Sequence, residues 1–250
     1  NDFTCMSCIN KPANNVGWWS FDENVNFSES YDLSAGLNVW DRIAVAQTSV
    51  PQPLVGKVQD AWRLDGVDDF LRVEDHPSLN FGTGSFSFEG WVQLDSTFNY
   101  GGVRVLLDKR QFTNGYYGYH IALYNRQPLL QLADGGYTNW VSTIQVPQDN
   151  QWHHIAVTVL RASPTGIKFY VDGQPAGIFD PRGRPGNLTT PAKLHMGRTS
   201  VGGSATVKLG MDEFSLYKRS LAPAEIQRIF NSGRFGACKD FPPESWWPHG

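Results

Sequence analysis

The stretch that decides the fold begins at Gln151-Trp152-His153-His154-Ile155-Ala156-Val157-Thr158 and ends at Leu221-Ala222-Pro223-Ala224-Glu225-Ile226. Between these ends lie Phe169-Tyr170-Val171-Asp172-Gly173, Leu194-His195-Met196-Gly197-Arg198 and Met211-Asp212-Glu213-Phe214-Ser215-Leu216-Tyr217. The alternating runs at 153–160, 167–171, 193–197, 206–209 and 211–217 have the period of two expected of half-buried strands.

Upstream the pattern continues. In Ser85–Leu94 alternation sets Phe86, Phe88, Val92 and Leu94 on one face, which predicts a core strand. Further alternating runs occupy 103–108, 117–124, 128–133 and 140–146. Val16–Phe21, Ala61–Leu64 and Asp69–Val73 are the earlier strand candidates, the second ended by Asp65-Gly66. One helix is predicted: Pro223 suits a first helical position, Glu225 the positive end, and Gly233 a C-terminal cap. Its stripe of Ile226, Ile229 and Phe230 is expected to lie across one end of the sandwich. About a dozen short strands and one short C-terminal helix predict an all-β, two-sheet antiparallel sandwich.

Composition agrees. Of 250 residues, 13% are aromatic and only 18% charged, with 25 Gly and 15 Pro, which suits many strands joined by turns. A net charge of -3 gives no electrostatic case for nucleic acid, and no apolar run approaches the ~20 residues of a membrane span, so no membrane insertion is expected. The three cysteines sit at the edges, Cys5 and Cys8 in front and Cys238 behind, a distribution that fits an exported domain, extracellular or at the cell surface. The expected organisation is a Cys-containing leader over 1–16, one domain over 17–235, and a linker over 236–250. Trp246-Trp247 repeats Trp18-Trp19 at a distance of 228 residues, as the start of a following repeat would, with self-association or tandem repetition through the termini as the consequence.

The ordered set of motifs resembles a laminin-G-like, concanavalin A-like jelly roll. Its first half is carried by Gly17-Trp18-Trp19-Ser20-Phe21-Asp22-Glu23, Leu64–Val73 and Phe86–Val92. The resemblance implies a jelly-roll sandwich used for binding glycans and other extracellular ligands. It implies a structural calcium ion where the first strand meets the last, with Asp22, Asp32, Asn38 and Asp212 as the matching oxygen donors. Because termini usually meet in such a fold, it also implies a disulfide from Cys5 or Cys8 to Cys238.

Catalytic patterns are missing. The Glu-x-Asp-x-x-Glu arrangement of related glucanases does not occur, and neither Gly-x-Ser-x-Gly nor His-Glu-x-x-His is present. Asp212-Glu213 and His153-His154 are adjacent pairs, which strand alternation would send to opposite faces. Asp65-Gly66-Val67-Asp68-Asp69 reads as a turn with solvated acids. A sugar needs exposed aromatic faces beside polar groups, and the richest region is 98–140. Alternation over 116–124 turns Tyr117, Tyr119, Ile121 and Leu123 to the core and Tyr116, His120 and Tyr124 outward, while nearby loops add Arg126, Asp134, Tyr137 and Trp140, with Arg110, Asn114 and Asn139. The leading expectation is a non-catalytic extracellular module, within a larger multidomain or surface protein, that binds a carbohydrate or a cell-surface protein. The alternatives are a spacer or self-assembling subunit of a surface appendage, and a cryptic glycan-active enzyme.

Overall fold

A computed structural model describes residues 8–23, 29–34, 44–47, 50–201 and 205–239. In chain order the strands are β1 (Asn15–Trp19), β2 (Glu29–Ser30), β3 (Ala44–Gln47), β4 (Gln52–Val55), β5 (Asp60–Asp65) and β6 (Phe70–Val73). Then follow β7 (Phe86–Leu94), β8 (Val103–Gln111), β9 (Tyr116–Tyr124), β10 (Gln127–Gly135) and β11 (Tyr137–Val141). The last five are β12 (Trp152–Val159), β13 (Ile167–Val171), β14 (Gln174–Phe179), β15 (Leu194–Met196) and β16 (Lys208–Tyr217), with helix α1 at Pro223–Ser232.

These strands form two antiparallel sheets. The first runs β14-β13-β12-β7-β16-β5-β4, with β1 also on β16, and the second runs β11-β10-β9-β8-β15-β6-β3-β2. Their inner faces meet in one core that takes alternate residues from each strand: Phe86, Phe88, Val92 and Leu94 from β7, Ile155, Val157 and Val159 from β12, and Tyr119, Ile121 and Leu123 from β9. Such alternation is what one buried face per sheet demands. At the centre of β7 the inward position is Gly90, because a Cβ there would stand 2.5 Å from the ring of Phe214.

Several expectations change. The helix does not cover an end of the sandwich; it lies on the outer face of the first sheet, where Ile226 and Ile229 pack with Ala156, Tyr170, Tyr217 and Leu221. Those four residues form an outward apolar patch that needs a cover. The runs at 206–209 and 211–217 are one strand, β16, and the run at 140–146 leaves the sheet after Val141. Alternation also fails inside β16. A bulge falls between Asp212 and Ser215, and Glu213 takes a left-handed φ of 58°. Met211, Phe214 and Leu216 all reach the core, so Asp212 and Glu213 both lie on the outer side rather than on opposite faces.

Residues 8–14 lie on the same side. Ile9 N–H donates to Gly236 O at 3.0 Å, Cys238 N–H donates to Ile9 O at 2.9 Å, and Cys8 is disulfide-bonded to Cys238. Cys5 and the Trp246-Trp247 pair fall outside the described residues.

Candidate functional site

The outer face of the second sheet carries a cross-strand row of polar side chains. Register places Asn139 opposite Gln131, Gln131 opposite His120, His120 opposite Asp108, Asp108 opposite His195, and His195 opposite Arg72. Neighbours in such a row are close enough to interact directly. Arg110, two residues along β8, clamps the middle of it. Its Nε and Nη2 donate to the two Asp108 oxygens at 2.7 Å each, and its Nη1 donates to Gln131 Oε1 at 2.5 Å. Gln131 Nε2 then donates to Asn139 Oδ1 at 2.6 Å.

Asp108 also fixes the loop after β15. Its Oδ2 accepts from Thr199 Oγ1 at 2.9 Å and from Ser200 N at 3.0 Å. Burial opposes its ionisation, but Arg110 and these donors outweigh that and hold the carboxyl below the usual range. Asp108 is thus a positioning residue that ties the 199–201 loop to the sheet. On the other side of β8 the fully buried Lys109 donates to Thr190 O at 3.0 Å and Ala192 O at 2.6 Å, and pairs with Asp75 at 2.6 Å. Between these two fixed segments lies a cavity of about 710 Å³ whose lining includes Arg110, Phe112, Lys193, His195 and Ser200. That volume falls within the range of small-ligand sites.

Aromatic rings flank it. Phe112 and Tyr116 stand 4.6 Å apart edge to face, and Tyr116 and Tyr137 stand 5.4 Å apart in the same manner. All three are exposed, at 39%, 39% and 50%. Arg110 lies 5.1 Å from the Phe112 ring centroid. A group of three exposed rings departs from ordinary packing, which would bury them.

The structure brings together only part of the predicted set. Tyr116, His120 and Tyr137 share this face and its aromatic end. Tyr124 is on the same face but at the opposite end of β9, eight residues and about 26 Å away along a strand. Arg126 sits in the β9–β10 turn and donates to Gln145 at 2.8 Å. Asp134 is held by Arg184 at 3.0 Å and Gly186 N at 2.8 Å, and Trp140 packs against the core. Arg110, Asp134, Tyr137, Asn139 and Trp140, read as loop residues, are strand residues of β8, β10 and β11. Asp108, Phe112, Gln131 and His195 are the additions; their outward parity was readable, but nothing in the sequence reveals that β8 and β15 are neighbours.

His120 is buried with Nε2 unpartnered, and its pKa is pushed down to about 4, chiefly by burial and also by Arg110, against the pull of Asp108. A base with a lowered folded pKa contributes stability that is intact above its unfolded value of 6.5 and is lost as pH falls from there toward 4. His120→Asn is therefore expected to flatten the stability profile between about pH 6.5 and 4. Urea melts across that interval check it; an unchanged slope refutes the assignment.

The acidic residues lie elsewhere. Asp22 and Glu213 both pair with Lys239, the Glu213 contact measuring 2.6 Å. Asp212 Oδ2 accepts from Val58 N at 2.9 Å, while its Oδ1 is buried without a partner. Burial pushes the Asp22 carboxyl up to about 6 against the pull of Lys239, and burial together with Glu213 raises Asp212 as well. Asp32 lies apart and accepts from Trp18 N and Ser34 N at 2.8 Å each. Asn38 is outside the described residues. Asp22 and Asp212 lie near enough for the charge of one to raise the pKa of the other, and the cation beside Asp22 is the Lys239 ammonium. Among the described residues, the acidic group with ligand atoms within 4.8 Å of one another is Asp65, Asp68 and Asp69. Two of its oxygens serve the turn: Asp65 Oδ1 accepts from Val67 N at 2.7 Å, and Asp69 Oδ2 from Asp65 N at 2.9 Å.

Behind the first sheet, fully buried Glu89 is paired with Lys11 at 3.1 Å and His154 Nε2 at 3.3 Å, and accepts from Tyr217 OH at 3.0 Å. This cluster lies close to α1 and the terminal segments, with no ligand-sized cavity beside it.

The profile of the concanavalin A-like lectin/glucanases superfamily matches residues 65–227. No curated protein matches the chain. Among solved structures, the binding domain of Paraclostridial Mosquitocidal Protein 1 is similar at a TM-score of 0.68 and 18% identity, over 88% of this chain and 52% of that one. The binding domain of Botulinum neurotoxin DC, solved with rat synaptotagmin II, is similar at 0.63 and 12%, over 88% and 52%. Domain 4 of AbnA, a GH43 extracellular arabinanase from Geobacillus stearothermophilus solved with arabinotriose, is similar at 0.59 and 15%, over 86% and 97%. The chain thus spans about half the length of the toxin domains and nearly all of the arabinanase domain.

Proposed function

Because the chain belongs to the concanavalin A-like lectin/glucanases superfamily, we propose that it is a non-catalytic, extracellular or cell-surface module that binds a carbohydrate on the outer face of its second sheet. The observation that carries this reading is the exposed Phe112–Tyr116–Tyr137 cluster beside a ligand-sized cavity with a rigid polar floor. A pyranose offers an apolar C–H face for a ring and hydroxyls for fixed polar groups, and both surfaces are supplied here without rearrangement. The similar structures support the reading, since they are binding domains of toxins and a domain solved with arabinotriose.

The non-catalytic part rests on the carboxylates. Glycoside hydrolysis needs two, flanking one bond. No carboxylate lines this cavity among the described residues, and Asp108 beneath it is spent on Arg110, Thr199 and Ser200. Phe112→Ala and Tyr137→Ala are each expected to weaken glycan binding about tenfold while leaving the fold intact, as both side chains are exposed. Glycan-array screening followed by calorimetry on the hits measures this. Wild-type affinity in both variants would move the site elsewhere.

Calcium enters this reading only as a structural ion. A rise of several degrees in Tm in millimolar Ca²⁺ over a chelator control is the expected sign of it; an unchanged Tm leaves Lys239 as the cation of the Asp22 cluster.

A further inference from the structure

We infer that the ligand held beside Phe112 is an acidic glycan, one bearing carboxylate or sulfate groups, and that Lys193 and Arg198 select it. This rests on the proposed glycan site and goes beyond it by naming the ligand's charge.

The chain as a whole is negative, at -3. Its surface around the cavity is not. Arg110 and Lys193 line the cavity together with His195, and no Asp or Glu does so among the described residues. Arg72 lies beside His195 by register, and Arg198 follows β15 with its guanidinium 5.0 Å from the Phe70 ring centroid. Against these four cations the same patch sets two carboxylates. Asp108 is consumed by Arg110. Glu74 is shared between Lys193 at 2.9 Å and Arg72 at 3.4 Å, and is itself 65% exposed at its side chain.

Arg198 pairs with no carboxylate among the described residues; the pKa of His195 is lowered first by burial, against the pull of Thr199 and Asp108, with Arg72 and Arg198 adding to the lowering. One acid shared by two bases on an exposed surface is weakly held, so an incoming anion can take its place at little cost. Thr113 adds a neutral hydroxyl at the rim, whereas Ser200 Oγ donates to Arg110 O at 2.9 Å and serves the loop. Lys193 lines the same cavity as Phe112, so a sugar stacked on Phe112 would present a ring substituent to Lys193, while Arg198, over Phe70 on the far side of His195, adds attraction at longer range.

Calorimetry with three probes tests this: an oligogalacturonide for carboxylate, a chondroitin sulfate oligosaccharide for sulfate, and a neutral arabinan oligosaccharide. At low ionic strength one or both acidic probes are expected to bind about tenfold tighter than the neutral one, with the preference collapsing as salt rises toward about 0.5 M. In Lys193→Gln/Arg198→Gln the preference is expected to fall below about threefold, because affinity for the acidic probes drops more than affinity for the neutral one. Equal affinity for all three probes, or a preference that survives the double substitution, overturns the inference and leaves the glycan site standing. Phe112→Ala separates the two readings, because loss of binding to every probe supports the site whatever its charge preference, and no loss refutes the site itself.

Discussion

Cys238→Ser is expected to lower the unfolding free energy by about 5 kcal/mol, the largest single effect available in this molecule. The bond joins Cys8 to Cys238 across a sequence separation of 230 residues. Cross-linking such distant points removes a large share of the unfolded chain's freedom, and a loop of this length lies at the upper end of that effect. The folded state suffers too. The Ile9–Gly236 and Ile9–Cys238 hydrogen bonds lie beside the disulfide, and Lys11 and Lys239 follow its two ends closely, so loosening the clasp also loosens the cations of two buried acid clusters. For a domain of this size the loss corresponds to ~10–20 °C in Tm. Urea melts of the wild type, the wild type under reductant, and Cys238→Ser measure it; a change below about 1 kcal/mol would show that the terminal segments are held by packing alone.

Glu89→Ala ranks second, with an expected cost of about 3–5 kcal/mol. Glu89 is completely buried, and its removal deprives Lys11 of its nearest carboxylate and leaves the buried His154 Nε2 and Tyr217 OH without their acceptor. Burial alone would raise its pKa; Lys11 and His154 more than offset this and hold it at about 2, below the ordinary 4.5. An acid with a depressed folded pKa contributes stability that is present above its unfolded value and is lost as pH falls through the folded one, so the loss runs from about pH 4.5 down to 2. Glu89→Ala should therefore be costly at pH 7 and nearly neutral at about pH 2. Equal destabilisation at both values would assign the cost to lost packing instead of lost charge.

Legibility in the sequence followed the physics of each feature. Phe86, Phe88, Val92 and Leu94 were readable because one buried face imposes a period of two on a strand, and Ile226 with Ile229 because one buried stripe imposes 3.6 on a helix. Where the helix lands was not readable, since Ala156, Tyr170 and Tyr217 form its seat only after three distant strands pair. Asp212 and Glu213 defeated alternation because a bulge is a local exception that propensity does not announce. At the site, Tyr116 and His120 were readable from parity and Tyr137 from its place in an aromatic-rich region. Arg110, Asp108 and His195 act together only because β8 and β15 are adjacent in the sheet, where Asp108 stands opposite His195 although the two are 87 residues apart in sequence.

The clasp has a mechanical meaning as well. Tension entering the chain at residue 8 and leaving at residue 238 passes through one covalent link whose Cα atoms are 4.9 Å apart, and bypasses every strand of the sandwich. Reduced, the same 230 residues would become a tether of about 780 Å when fully drawn out. The oxidised module can therefore bear a pull that would strip a ligand from its face long before the face itself deforms.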